Sequence, residues 1–199
     1  MKAAHDQFLE NLARARSLSG LAQSLAVLVT SAVDFSDILR AALVSGVSAL
    51  DHFVHELVRI GMLEVHRGKR SATNAYLAFP LPLAATTAAI ADTKNDDWLD
   101  QAVRDAHGWL TFQHPDKIAD AVRLMSGVKL WEAVGAELGM PARTVKTRLS
   151  AIVDRRNKIA HEADMDPTSP GTRWHIDQQQ VDDALKFIEQ VSSAVLKVA

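Results

Sequence analysis

The chain has 199 residues, 48% hydrophobic and 23% charged, a balance and a length that suit a soluble single domain with a sizeable core. It contains no cysteine, which excludes disulfides, thiolate metal sites and cysteine nucleophiles together and suits a reducing cytoplasm. A formal net charge of −2 excludes a broadly basic nucleic-acid binder, so any RNA or DNA contact has to come from a local cluster of Lys and Arg.

In chain order, an amphipathic segment over 8–18 opens the sequence, Ser19-Gly20 interrupts it, and an apolar stretch follows over 21–33. The start, Met1 to Gln7, lacks the charged-then-apolar layout of a signal peptide. The stretch over 21–33 is too short for a bilayer span of about 20 residues, and the apolar stretch over 77–91 is broken by Pro80 and Pro82. We therefore expect no membrane segment and a cytoplasmic protein. The cleanest helical pattern runs over 36–60. Leu39, Leu43, Val47, Leu50, Val54 and Leu57 recur three or four apart on one face, with Ser36 or Asp34 to cap the start and Gly61 to end it. His66 to Arg70 reads as a basic turn. Further helices are predicted over 84–91, 98–109, 115–125 and 130–138, and another from Pro141 toward His161. Asp166-Pro167 and Ser169-Pro170-Gly171 stop that helix. A short extended piece fits 173–176, and a last helix over 181–198 buries Val181, Leu185, Ile188, Val191 and Val195. The fold class is all-α, a bundle whose two longest helices pair. We read 1–199 as a single domain, with 1–34 a helical extension and 35–199 the core.

One conflict points to chemistry. Continuing the core series Val145, Leu149, Ile152 puts the next member on Arg156, with Ile159 after it. A guanidinium on that face is costly unless it is paired or opens on a polar cleft. Asn157 and His161 are four apart and share a face. Histidine exchanges protons near neutral pH, arginine offers a planar fork to a phosphate, and Asn orients either a phosphate oxygen or the imidazole. That set suffices to cleave RNA without a metal, by attack of the neighbouring 2′-hydroxyl on phosphorus. The bland alternative is a helix-end His beside an Arg on the bundle rim.

The run Ile152 to Asp164, with Arg155-Arg156-Asn157-Lys158-Ile159-Ala160-His161 at its centre, resembles the Arg-to-His signature of HEPN domains. The segment Arg40 to Leu57 resembles the first long helix of that superfamily, and order and separation are most similar to the RiboL-PSP-HEPN branch, over roughly 35–198. The resemblance implies a bundle with two long central helices and short accessory ones. It also implies a homodimer with a composite cleft, and metal-independent endoribonuclease activity in toxin–antitoxin or antiphage systems. RNA would be the substrate, an antitoxin or defence protein a partner, and no cofactor is implied. Carried over by position, Arg156 and His161 match the catalytic pair and Asn157 the polar residue beside the Arg. Asp51 and His55 are candidates for a supporting pair; Asp51 is placed like the family's acidic position, while His55 reads first as part of a solvated polar face. Some members carry a Tyr two residues after the His as the target of an AMP-adding antitoxin; Ala163 stands there in this chain.

A rival pattern spans Trp131 to Leu149, which reads like a helix-turn-helix with Gly139 at the turn. Arg143, Thr144, Lys146, Thr147 and Arg148 would then face a DNA groove. A plain helical hairpin gives the same pattern, and a HEPN fold without activity, serving as a binding module, is a further alternative. No Walker loop, dinucleotide fingerprint or zinc-protease helix is present. His52 and His55 lack a third ligand for a metal.

Overall fold

The computed structural model describes residues 1–28, 33–92 and 95–199. Its helices, among the described residues, are α1 (Lys2–Leu28), α2 (Ser36–His66), α3 (Asn74–Leu77), α4 (Leu83–Ala91), α5 (Asp97–His107), α6 (Pro115–Val122), α7 (Leu130–Leu138), α8 (Ala142–His161) and α9 (Gln178–Val198). This is the expected all-helical bundle. α2 is its axis, packing against α1, α5, α6, α8 and α9, while α7 joins α8 to α9. The extended piece near residue 173 is reduced to one antiparallel bridge, Met165 to Arg173. No helix among the described residues is long and apolar enough to cross a membrane.

Ser19-Gly20 does not interrupt the first helix. Ala4, Phe8, Leu12, Ala15, Ser19 and Ala22 follow one another at helical spacing and are all buried, against α2 and α9. Ser19 sits on that buried face because its hydroxyl donates to Asp182 Oδ1 at 2.8 Å. Gly20 costs a helix about 1 kcal/mol relative to Ala, less than the burial of Phe8 and Leu12 returns, at roughly 1.5–3 kcal/mol each. The expected continuation over 29–32 lies outside the described residues.

Gly61 does not end α2. It is buried inside the helix, where the Met125 side chain packs so closely that a β-carbon would lie 2.7 Å from its Cβ. The stop comes at Gly68, whose φ of +68° lets the Gly68 and Lys69 N–H groups reach back to the carbonyls of Val65 and Glu64, at 3.0 and 2.8 Å. That is the paired closure that a left-handed glycine makes possible. At the other end neither Ser36 nor Asp34 is the cap: the N-cap position is Phe35, which makes no side-chain cap bond, and the Asp34 carboxylate accepts from the Ser36 N–H at 2.8 Å just before it. The basic turn is knitted into the fold: Arg67 pairs with Asp96 at 2.5 Å, and Arg70 with Glu64 at 2.6 Å.

On α8 the fully buried series is Val145, Leu149 and Val153, while Ile152 and Ile159 are only partly covered. Asp177 caps α9, accepting from the Gln180 N–H at 2.8 Å. The face Val181, Leu185, Ile188, Val191 and Val195 is buried as expected.

Candidate active site at the end of α8

α8 presents two different faces in its last three turns. Val153 is buried on the core face. Ser150, Asp154, Asn157 and His161, spaced four, three and four, form a polar face. Arg156, three residues beyond Val153, continues the core side rather than the polar face; it is half-buried, with its Nε fully enclosed and without a hydrogen-bond partner. Burial pushes the Arg156 guanidinium down from its usual value, and the Asp51 carboxylate opposes that shift. Asn157 is half-buried and His161 exposed. Among the described residues no side-chain hydrogen bond joins Arg156, Asn157 and His161 to one another.

Asp51, on α2, faces this region and is firmly held. Its Oδ1 accepts the Phe112 N–H at 2.5 Å and its Oδ2 accepts from the Gln113 side-chain amide at 2.9 Å. The carboxylate therefore anchors the segment between α5 and α6 while placing a negative charge near Arg156. His55 Nε2 lies 3.7 Å from Asp51 Oδ1, and its ring packs on Phe112 at 4.4 Å. So Asp51 and His55 meet each other, and Asp51 meets Arg156 electrostatically. No contact among the described residues joins either of them to His161. The polar face of α8 continues toward its N-terminus as an open groove of about 600 Å³, lined by His114, Asp116, Arg143, Lys146, Ser150 and Asp154.

The helix-turn-helix candidates are placed as follows. Gly139, at φ +64°, makes the turn between α7 and α8. Arg143, Thr144 and Thr147 are exposed. Lys146 is paired with Asp116 at 2.7 Å, and the Arg148 guanidinium lies over the Phe187 ring at 4.2 Å. Glu56 is taken by Arg59, at 2.7 Å.

Two groups escaped the sequence reading. One is the trio of buried Arg40 and Asp164 with half-buried Arg155. Its signal was present in α2, where Arg40 lies on the same face as Leu43 and Val47 and is 6% exposed, the same break of register that drew attention to Arg156. The other is His107, 5% exposed, with an enclosed Nδ1 that has no partner. Burial, with a smaller push from His55, lowers its pKa from 6.5 to about 4. The folded protein thus keeps His107 neutral while the unfolded chain takes up its proton below pH 6.5. The stability this contributes is complete above pH 6.5 and is lost progressively as pH falls toward 4. The Tm of His107→Gln is expected to fall less between pH 7.5 and pH 5 than that of the wild type. Equal falls would show that another group governs acid sensitivity.

Compared with known proteins, neither the curated proteins nor the solved structures include a match to this chain. The RiboL-PSP-HEPN family model matches residues 9–198. The match takes in most of α1 as well as the α2 and α8 segments that carry the resemblance, and it points to a nuclease-type or RNA-related function. By that match over nearly its whole length, the chain belongs to the RiboL-PSP-HEPN family.

Proposed function

We propose that this protein is a metal-independent endoribonuclease acting as a two-fold homodimer, with a role in toxin–antitoxin or antiphage defence. The observation that carries the reading is Arg156: a half-buried guanidinium that no carboxylate among the described residues hydrogen-bonds, five residues before an exposed histidine on the same helix. The charge-assisted hydrogen bonds that a guanidinium makes to a phosphate oxygen are strengthened in a partly buried setting. Asn157, beside it, orients a second phosphate oxygen. Asp51 supplies a counter-charge to the Arg156 guanidinium that opposes the effect of burial.

The reaction follows from these groups. Neutral His161 takes the proton of a ribose 2′-hydroxyl, the O2′–P bond forms, and the P–O5′ bond breaks. The departing O5′ takes a proton from a second, protonated His161 across the two-fold axis, leaving a 2′,3′-cyclic phosphate. A dimer also doubles the guanidinium charge in one cleft, which a chain of net charge −2 needs for RNA. The DNA-reading alternative draws less support, because Lys146 and Arg148 are engaged within the fold.

The test is to incubate the purified protein with mixed RNAs in EDTA and analyse the new ends. Cleavage that persists in chelator and leaves 2′,3′-cyclic phosphates is expected. Cleavage that stops in EDTA and returns with magnesium would sink the proposal.

A further inference from the structure

α8 ends in an unusual way. Its last residue is His161, and the next turn is made by Ala163 and Asp164 at φ +51° and +58°, a region that residues with a β-carbon seldom enter. The N–H groups of Glu162 and Asp164 both return to the Lys158 carbonyl, at 2.9 and 3.0 Å. A Gly or Asn would make such a turn at less strain. Asp164 is there with its side chain completely buried. Its Oδ2 accepts from Arg40 Nε at 2.7 Å and from Arg155 Nη2 at 2.9 Å.

The same guanidiniums reach further along the chain. Arg40 Nη2 donates to the Trp174 carbonyl at 2.9 Å, and Arg155 Nη2 donates to the carbonyls of Trp174 and His175 at 3.1 and 3.0 Å. The Trp174 N–H closes the circuit on the Asp164 carbonyl at 2.9 Å, and Arg173 pairs with Asp37 at the start of α2. One carboxylate thus ties α2, α8 and the segment after α8 together. Buried ion networks are a poor way to gain stability, because desolvation offsets most of the attraction. What this one does is set geometry.

The geometry it sets is that of the turn carrying His161. The His161 side chain is exposed and no hydrogen bond among the described residues holds it, so its position is inherited from its backbone. We propose that Asp164, clamped by Arg40 and Arg155, is a positioning residue that aims His161. This division of labour also separates the two adjacent arginines: Arg155 is consumed by the clamp, and Arg156 is left for substrate. The catalytic half of the proposal rests on the ribonuclease reading above.

The experiment uses the full chain with Asp164→Asn, which keeps the size and one acceptor oxygen but removes the charge. Arg155→Lys is the second variant; it keeps the charge and loses Nη2, the atom that bonds Asp164, Trp174 and His175. RNA cleavage is followed for kcat and KM, the folded fraction by circular dichroism, and the His161 ring by proton–carbon NMR, assigned with His161→Ala. Misaiming a reactive group by about 1 Å costs on the order of a hundredfold. We expect Asp164→Asn to lower kcat by roughly tenfold to a hundredfold, to leave KM within about twofold, and to shift or split the His161 ring signals. Arg155→Lys should move the same quantities in the same direction and by less.

A folded Asp164→Asn protein with wild-type kcat and unmoved His161 signals overturns the proposal, as does a kcat loss that only follows the unfolded fraction. If Asp164→Asn does not fold, Arg155→Lys decides by the same readouts. If the wild type does not cleave RNA at all, the ribonuclease reading fails, and the His161 signals decide the clamp alone: moved signals support it, unmoved signals overturn it.

Discussion

His161→Ala is expected to abolish RNA cleavage while leaving the fold untouched. The imidazole is exposed at the last turn of α8 and contributes nothing to the core, so Tm should change by no more than about 2 °C. A group that accepts one proton and delivers another is worth roughly 10²–10⁴ in rate, and the loss should fall on kcat. Arg156 makes the informative contrast. Arg156→Lys keeps a positive charge but loses the planar fork, so phosphate binding should weaken through KM as well as kcat. Arg156→Ala, in addition, removes a partly packed stem, and a modest fall in Tm is expected with it. Single-turnover cleavage of a defined RNA, with melting curves on the same samples, measures all of this. A His161→Ala protein that still cleaves at the wild-type rate would remove the imidazole from the mechanism.

Gly61→Ala should destabilise the protein although alanine is the better helix former. The new β-carbon would lie 2.7 and 2.9 Å from Cβ and Cγ of Met125, and closer still to its sulfur. Met125 is itself buried and its Cβ cannot swing away, so the backbones of α2 and the segment after α6 must separate. Overpacking of this kind costs about 1–3 kcal/mol, against roughly 1 kcal/mol returned by helix propensity. Each kcal/mol corresponds to about 2–4 °C in Tm for a domain of this size. Met125→Ala alone leaves a cavity and should cost about 2–5 kcal/mol. In the double variant the sulfur and Cγ clashes are gone and only the 2.7 Å approach to Cβ remains, so its loss should be smaller than the sum of the two single losses. Strict additivity in the melting data would mean that Gly61 and Met125 do not touch.

Helical periodicity by itself determined most of the secondary structure of this chain. The repeat of apolar residues at three and four in α2 and α9, the proline before α8 and the breakers after His161 each act within a few residues, so they are legible without a partner. The same holds for the residue types at the end of α8: Arg156 stands out because a charge occupies a position that the register assigns to the core. Tertiary structure alone decided whether a small or polar residue was a stop or a contact. Ser19 and Gly20 read as a break, yet Asp182, 163 residues further on, satisfies the Ser19 hydroxyl, and packing outweighs the glycine. Gly61 reads as a terminus, yet Met125 needs the space. It also decided the roles of Arg155 and Arg156. The two are neighbours in sequence, but they point 100° apart on a helix, one toward Asp164 and the other toward the side where Asp51 lies. No local pattern separates them, because the carboxylates that do so arrive from other parts of the chain.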